Sequence, residues 1–349
     1  MAKKKSSEED CNEILADLKR KIYKPVYLLV GDESYFIDKI SDYISDNVLT
    51  ESEKAFNQVV LYGKDSEVGN IIDAARRYPM SSNHQVVIVK EAQHLKKIED
   101  LEHYLKAPQQ TTILVVCYKG KPGEKMAKPT KGLKSLFTLA DRVGVFFEST
   151  AFYENQVPEW IIRYLAVKEI SIAIKPATLL TDFLGTDLSK IVNELEKLII
   201  TLPPNTKTIT AEHIEKNIGL SKDFNRFELT KALGERDATK AFLIVDHFAK
   251  NPSNNPFVVT ISAVFQYFIK LFKLHILKNI SEAELAKELG VHPFFLKEYR
   301  KAAQFYTTTR CFQIISLLRE YDLRAKGVNN DSTDQGELLR ELVFKILYS

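Results

Sequence analysis

The stretch LLVGDESYFID, Leu28 to Asp38, ends an apolar run in a glycine and then reads as a helix. Strand, glycine loop and helix in that order is where a nucleotide-binding protein holds phosphate, on the N–H groups and positive dipole end of the helix. The phosphate loop requires G-x-x-x-x-G-K-[ST]. Counted from Gly31, the second glycine, the lysine and the hydroxyl fall at Phe36, Ile37 and Asp38. Two bulky side chains would crowd a phosphate, and Asp32, Glu33 and Asp38 would set negative charge beside it. The companion motif is degenerate too. In an ATPase of this architecture a strand such as VVIVKEAQ ends in Asp-Glu, the Asp holding Mg²⁺. Lys90 stands in that position and cannot ligate a cation, which leaves Glu91 as a solvated strand-end charge.

Other chemistry is equally sparse. The chain has no C-x-x-C, no H-E-x-x-H and no G-x-S-x-G, and its seven histidines are scattered. No pair of carboxylates stands apart from solvated helix faces. We therefore expect no catalytic residue, no metal and no cofactor. Cys11, Cys117 and Cys311 are an odd, widely spaced set, which fits a reducing cytosol better than a disulfide framework. A net charge of +3 on 349 residues makes any nucleic-acid contact local. The start, MAKKKSSEED, has no apolar segment behind its lysines. Pro256 to Leu277 is the most apolar helical candidate, but Gln266, Lys270, Lys273 and His275 suit a buried bundle helix better than a membrane span. No membrane partner and a cytoplasmic location are expected.

The elements that must position these residues fall into two styles. After a helix near 8–19, buried strands (VYLLVG, 57–61, HQVVIVKEA, TTILVVCY, VGVFFE) alternate with helices near 35–48, 67–78, 95–105 and 131–139. Continuous Val/Ile/Leu strands between helices imply a parallel sheet covered on both faces. Beyond 148 no strand is expected. Helices are predicted near 158–167, 179–184, 187–202 and 211–218, and then at 226–233, 237–249, 256–277, 281–289, 294–303, 307–326 and 333–347. The spacing predicts three domains: an α/β domain over 1–148, a small helical domain over 149–222 and a larger helical domain over 223–349. The loop from Lys119 to Gly132 is rich in Lys, Gly and Pro.

Two segments could bind a partner. In ARRYPMSSNHQ, Ala75 to Gln85, Pro79 ends a helix and is flanked by Tyr78 and Met80. Two large side chains beside a proline can plug a partner's pocket, or they can staple the helix end onto the domain. Ser281 to Ala303 looks like the first helix and turn of a DNA-binding helix-turn-helix. Its second helix, however, opens with Pro293, Phe294 and Phe295, which read as packing residues rather than base-reading ones.

Taken together, YLLVGDESYFID, RRYPMSSNHQVVIVKEA, GTDLSKIVNELEKLII, RFELTKALGERDATKAF, LGVHPFFLKEYRKA and LLREYDLRAKG resemble, in order over about 320 residues, the delta subunits of bacterial DNA polymerase III. The resemblance implies an AAA+-like chain with a decayed nucleotide site, a helical lid and a helical collar. It implies a clamp-loader subunit in a hetero-pentamer, which binds and opens the sliding clamp (beta subunit) while neighbouring subunits hydrolyse ATP. Such chains are grouped with DNA-directed DNA polymerases through their complex, without a nucleotide-transfer site of their own. It implies clamp contact at Tyr78, Pro79 and Met80, although relatives usually carry Leu or Phe there. It also implies primer-template DNA in the ring's centre, with Lys121, Lys125, Lys128 and Lys131 as candidate phosphate contacts. Tyr299, Phe305 and Tyr306 are candidates for an aromatic near the primer end. A helix-turn-helix DNA-binding regulator is the alternative reading.

Overall fold

The computed structural model describes residues 5–120, 129–218, 224–277, 280–329 and 333–348. The chain forms two compact units, Met1–Phe152 and Tyr153–Ser349. In the first, strands β1 (Val26–Gly31), β2 (Gln58–Tyr62), β3 (Gln85–Lys90), β4 (Thr112–Lys119) and β5 (Val145–Ser149) form one sheet in the order β2-β3-β4-β1-β5. Every pairing is parallel. The helices of this unit are α1 (Ser7–Lys19), α2 (Ser34–Asn47), α3 (Glu51–Asn57), α4 (Val68–Ala75), α5 (Glu102–Leu105) and α6 (Lys131–Val143). Val26, Leu28 and Val30 of β1 alternate onto one face, where they share a core with Ile71 of α4 and Leu136 of α6. α2 crosses the sheet with Phe36, Ile37, Ile40 and Ile44 buried, and α1 packs on it. Helices on both faces explain why the central strands read as unbroken apolar runs.

The second unit is helical: α7 (Val157–Ala166), α8 (Ile174–Leu184), α9 (Leu188–Thr201), α10 (Ala211–Ile218), α11 (Arg226–Glu235), α12 (Ala238–Lys250), α13 (Phe257–Ile276), α14 (Glu282–Leu289), α15 (Leu296–Ala303), α16 (Thr308–Ala325) and α17 (Gln335–Tyr348). By length and composition alone α13 could cross a membrane. Here its Val264, Phe268 and Leu271 are buried in a core shared with α11, α12, α16 and α17. The expected class, a parallel α/β unit followed by helices, is the one the chain adopts.

Several details differ from expectation. A short parallel pair, β6 (Ser171–Ile172) with β7 (Thr208–Ile209), lies where no strand was predicted. Two residues per strand are too few to show a period of two. α8 begins at Ile174 rather than 179, because Pro176 is tolerated in a first turn whose N–H groups lack helical partners anyway. The segment 95–105 is not one helix but a 3₁₀ turn, Ile98–Leu101, running into α5. α4 stops at Ala75 rather than at Tyr78.

Gly31 ends β1 beside Ser149 of β5. Its φ is 143°, and a Cβ placed there would lie 2.0 Å from the Ser149 carbonyl oxygen. That same oxygen accepts the Asp32 N–H at 3.1 Å. The glycine is therefore required by the close approach of β5, whether or not a phosphate ever binds. We predict that Gly31→Ala lowers stability by about 2–4 kcal/mol in urea unfolding, from backbone strain and overpacking together. A loss below about 0.5 kcal/mol, the size of a neutral surface change, would contradict this.

Candidate partner-binding turn and degenerate phosphate loop

In an open α/β sheet, ligands bind at the carboxyl ends of the strands. Here those ends bring together Gly31, Lys90 and Lys119, with α2 starting just beyond. Glu33 is the N-cap of α2 and is buried, and its carboxylate accepts the Tyr35 N–H at 3.0 Å. A carboxylate of the chain's own thus sits at the helix end where a phosphate would be held. Phe36 and Ile37 point into the core at 1% and 0% exposure, so neither side chain lines the loop.

The remaining charges are paired within the protein. Asp38 meets Lys119 of β4 at 2.6 Å, and Asp42 meets Lys90 of β3 at 3.3 Å. Burial opposes the charge on Lys90, but Asp42 and Asp38 outweigh it and hold its pKa above the usual lysine value. Glu91 adopts a left-handed backbone and faces Lys64 at 3.8 Å. The polarity is the reverse of a nucleotide site: acids lie on the helix side and lysines on the strand ends. Among the described residues no group of three or more His, Cys, Asp or Glu could hold a metal.

The second site lies after α4. The terminal carbonyls of a helix need donors, and a buried one needs them most. The Ala75 carbonyl accepts the Thr112 hydroxyl at 2.8 Å and the Tyr104 hydroxyl at 3.3 Å, both from buried side chains. The chain then turns outward through Arg76 and Arg77. Tyr78 is 75% exposed and Met80 65%, with Pro79 half-buried between them. The far end is held by Asn57, fully buried at the end of α3. Its Oδ1 accepts the Met80 N–H at 2.6 Å, and its Nδ2 donates to the Met80 carbonyl at 2.9 Å. Tyr78 and Met80 therefore do not staple the helix end; Thr112 and Tyr104 hold that end, and Asn57 holds the far side of the turn. None of these three was singled out by sequence, nor was α3. The usable signal was Thr50-x-x-Glu53, a capping box in which the Glu53 carboxylate accepts from the Thr50 N–H and hydroxyl at 2.8 and 2.7 Å.

Of the lysine candidates, Lys131 is exposed at the start of α6, and Lys121, Lys125 and Lys128 lie outside the described residues. Between α14 and α15 the chain turns at Gly290 and then at Pro293–Phe295. Phe295 is buried against Phe227 at 5.4 Å, whereas Phe294 packs edge-on against Phe295 at 5.1 Å and is half exposed, so only one of the two is a core residue. Tyr306 is buried, its hydroxyl donating to the Leu233 carbonyl at 2.6 Å; Tyr299 is partly buried against Tyr267; Phe305 remains exposed. A cleft of about 500 Å³ in this unit is lined by Glu154, Asp182, Arg226, Lys270, Tyr267 and Tyr299 among others. Burial, reinforced by Glu154, pushes the Asp182 carboxyl up to about 7 against the pull of Lys270 and Arg226.

Comparison with known proteins gives these sites a context. Residues 27–141 match the family described as DNA polymerase III, delta subunit. Residues 223–341 match the DNA polymerase III delta subunit, C-terminal domain. Over 341 residues the chain is 24% identical to the DNA polymerase III subunit delta of Bacillus subtilis (strain 168), covering 95% of this chain and 94% of that protein. The solved structure of the Bacillus subtilis DNA clamp loader delta protein shares the fold at a TM-score of 0.57 and 22% identity, over 97% of this chain and 100% of that one. With both family segments matched in order along its length, the chain belongs to the DNA polymerase III delta subunit family.

Proposed function

We propose that this chain is the delta subunit of a clamp loader, which docks on the ring-shaped sliding clamp through Tyr78, Pro79 and Met80 and holds one clamp interface open for loading onto primed DNA. The observation that carries this reading is the turn itself. Two large, exposed side chains sit on a backbone tied at Ala75 and at Met80 to buried groups. A projection already ordered before binding loses less conformational freedom when it enters a pocket. The name of the Bacillus subtilis relative, a DNA clamp loader delta protein, supports the choice of partner.

The same proposal covers the rest of the assembly. The chain stands in a hetero-pentamer, in the cytoplasm, around primer-template DNA. Its organisation is an AAA+-like domain over 1–148, a lid over 149–222 and a collar over 223–349. It neither binds nor hydrolyses ATP, which its neighbours handle; Glu33 at the helix end and the Asp38–Lys119 pair support this. It performs no nucleotide transfer, and its place with the polymerases comes from its complex. The helix-turn-helix alternative gains nothing from α15, whose Leu296 and Ala302 are buried in the helical unit.

Calorimetric titration with the sliding clamp of the same organism tests the reading. Wild type should bind below about 1 μM, and Tyr78→Ala/Met80→Ala, still folded, should bind at least roughly 100-fold more weakly, the loss of two central anchors. Absence of wild-type binding would overturn the clamp reading. Equal binding by both would move the contact elsewhere.

A further inference from the structure

Met80 sits in an outward turn, where its main-chain N–H and C=O would ordinarily be left to water. Asn57 supplies partners to both, as a neighbouring strand would: acceptor to the N–H at 2.6 Å, donor to the C=O at 2.9 Å. The same Nδ2 also donates to the Glu53 carbonyl at 3.1 Å, which fixes the amide's own orientation. Asn57 is 0% exposed, so no water competes for these bonds. Directly after this tie Ser81 has a φ of 53°, a left-handed backbone that a serine seldom adopts without support.

Only an amide of this length meets the requirement. An aspartate accepts the N–H but cannot donate to the carbonyl, an alanine does neither, and a glutamine is one methylene too long. We propose that Asn57 is the positioning residue of the docking turn: it touches no partner, and it sets affinity by holding the Met80 backbone so that the Met80 side chain projects in one direction before the clamp arrives. This inference rests on the clamp-docking reading above and adds to it a residue, on a different element, that controls the contact.

The test is a double-mutant cycle in the full-length chain, titrated with the sliding clamp and accompanied by thermal melts and by hydrogen exchange at the Met80 amide. Asn57→Ala should weaken binding about tenfold, the loss of two hydrogen bonds' worth of order at the contact, and should speed exchange at Met80. In a Met80→Ala background the same change should weaken binding less than about threefold, because the side chain being positioned is gone. Asn57→Asp, which keeps shape and acceptor, should fall between wild type and Asn57→Ala, and it carries the comparison if the alanine variant does not fold. Folded Asn57 variants that bind as wild type would overturn the inference while leaving the docking turn intact. So would equal losses in both backgrounds, the signature of a general structural role. If wild type does not bind, or Met80→Ala costs nothing, the docking reading itself fails and the inference fails with it.

Discussion

The buried carbonyl of Ala75 is the point on which the candidate interface depends. Thr112, the first residue of β4, and Tyr104 of α5 both donate to it. These bonds end α4 where the sheet can supply donors, three residues before Tyr78. A proline at 79 keeps Tyr78 out of the helical region, which agrees with that stop but does not set it. The chain leaves the core at a fixed place and returns to it through Asn57. The exposed pair Tyr78 and Met80 is then a consequence of where the backbone's hydrogen bonds are satisfied. Core side chains and an outward-facing contact are joined through main-chain polar groups rather than through apolar packing.

The strand ends show the same economy of partners. A helix N-terminus at the edge of a parallel sheet attracts an anion. In this chain the anion is the Glu33 carboxylate, and the nearby Asp38 and Asp42 are matched by Lys119 and Lys90. These ion pairs are partly open to solvent, so each adds little stability, and their effect is to set the local charge pattern. Gly31 survives in the loop because Ser149 lies where its Cβ would be. A scaffold of this kind can keep the outline of a phosphate loop for reasons of packing alone.

Much of the fold was legible in the sequence. The five strands of the main sheet read correctly because both of its faces are covered, which makes the central ones continuous apolar runs. The long helices read correctly from their periodicity. The losses lie where local signals are short or ambiguous: α3, announced only by Thr50 and Glu53; the two-residue strands β6 and β7; and α8, hidden behind Pro176. At the candidate site Tyr78, Pro79 and Met80 were visible as residue types. Asn57, Thr112 and Tyr104 were not, since a polar residue in sequence gives no sign of the distant carbonyl it will satisfy. Phe294 and Phe295 show the reverse problem: neighbouring identical residues, of which only one is buried.

The central claim is that an ordered turn around Tyr78 and Met80 is where the partner sits. Hydrogen exchange of the full-length chain, with and without saturating sliding clamp, tests it most directly. The account predicts new protection concentrated in residues 76–84, with the loop at Gly31–Asp38 unchanged. Clamp binding that protects other surfaces and leaves 76–84 exchanging as before would contradict it.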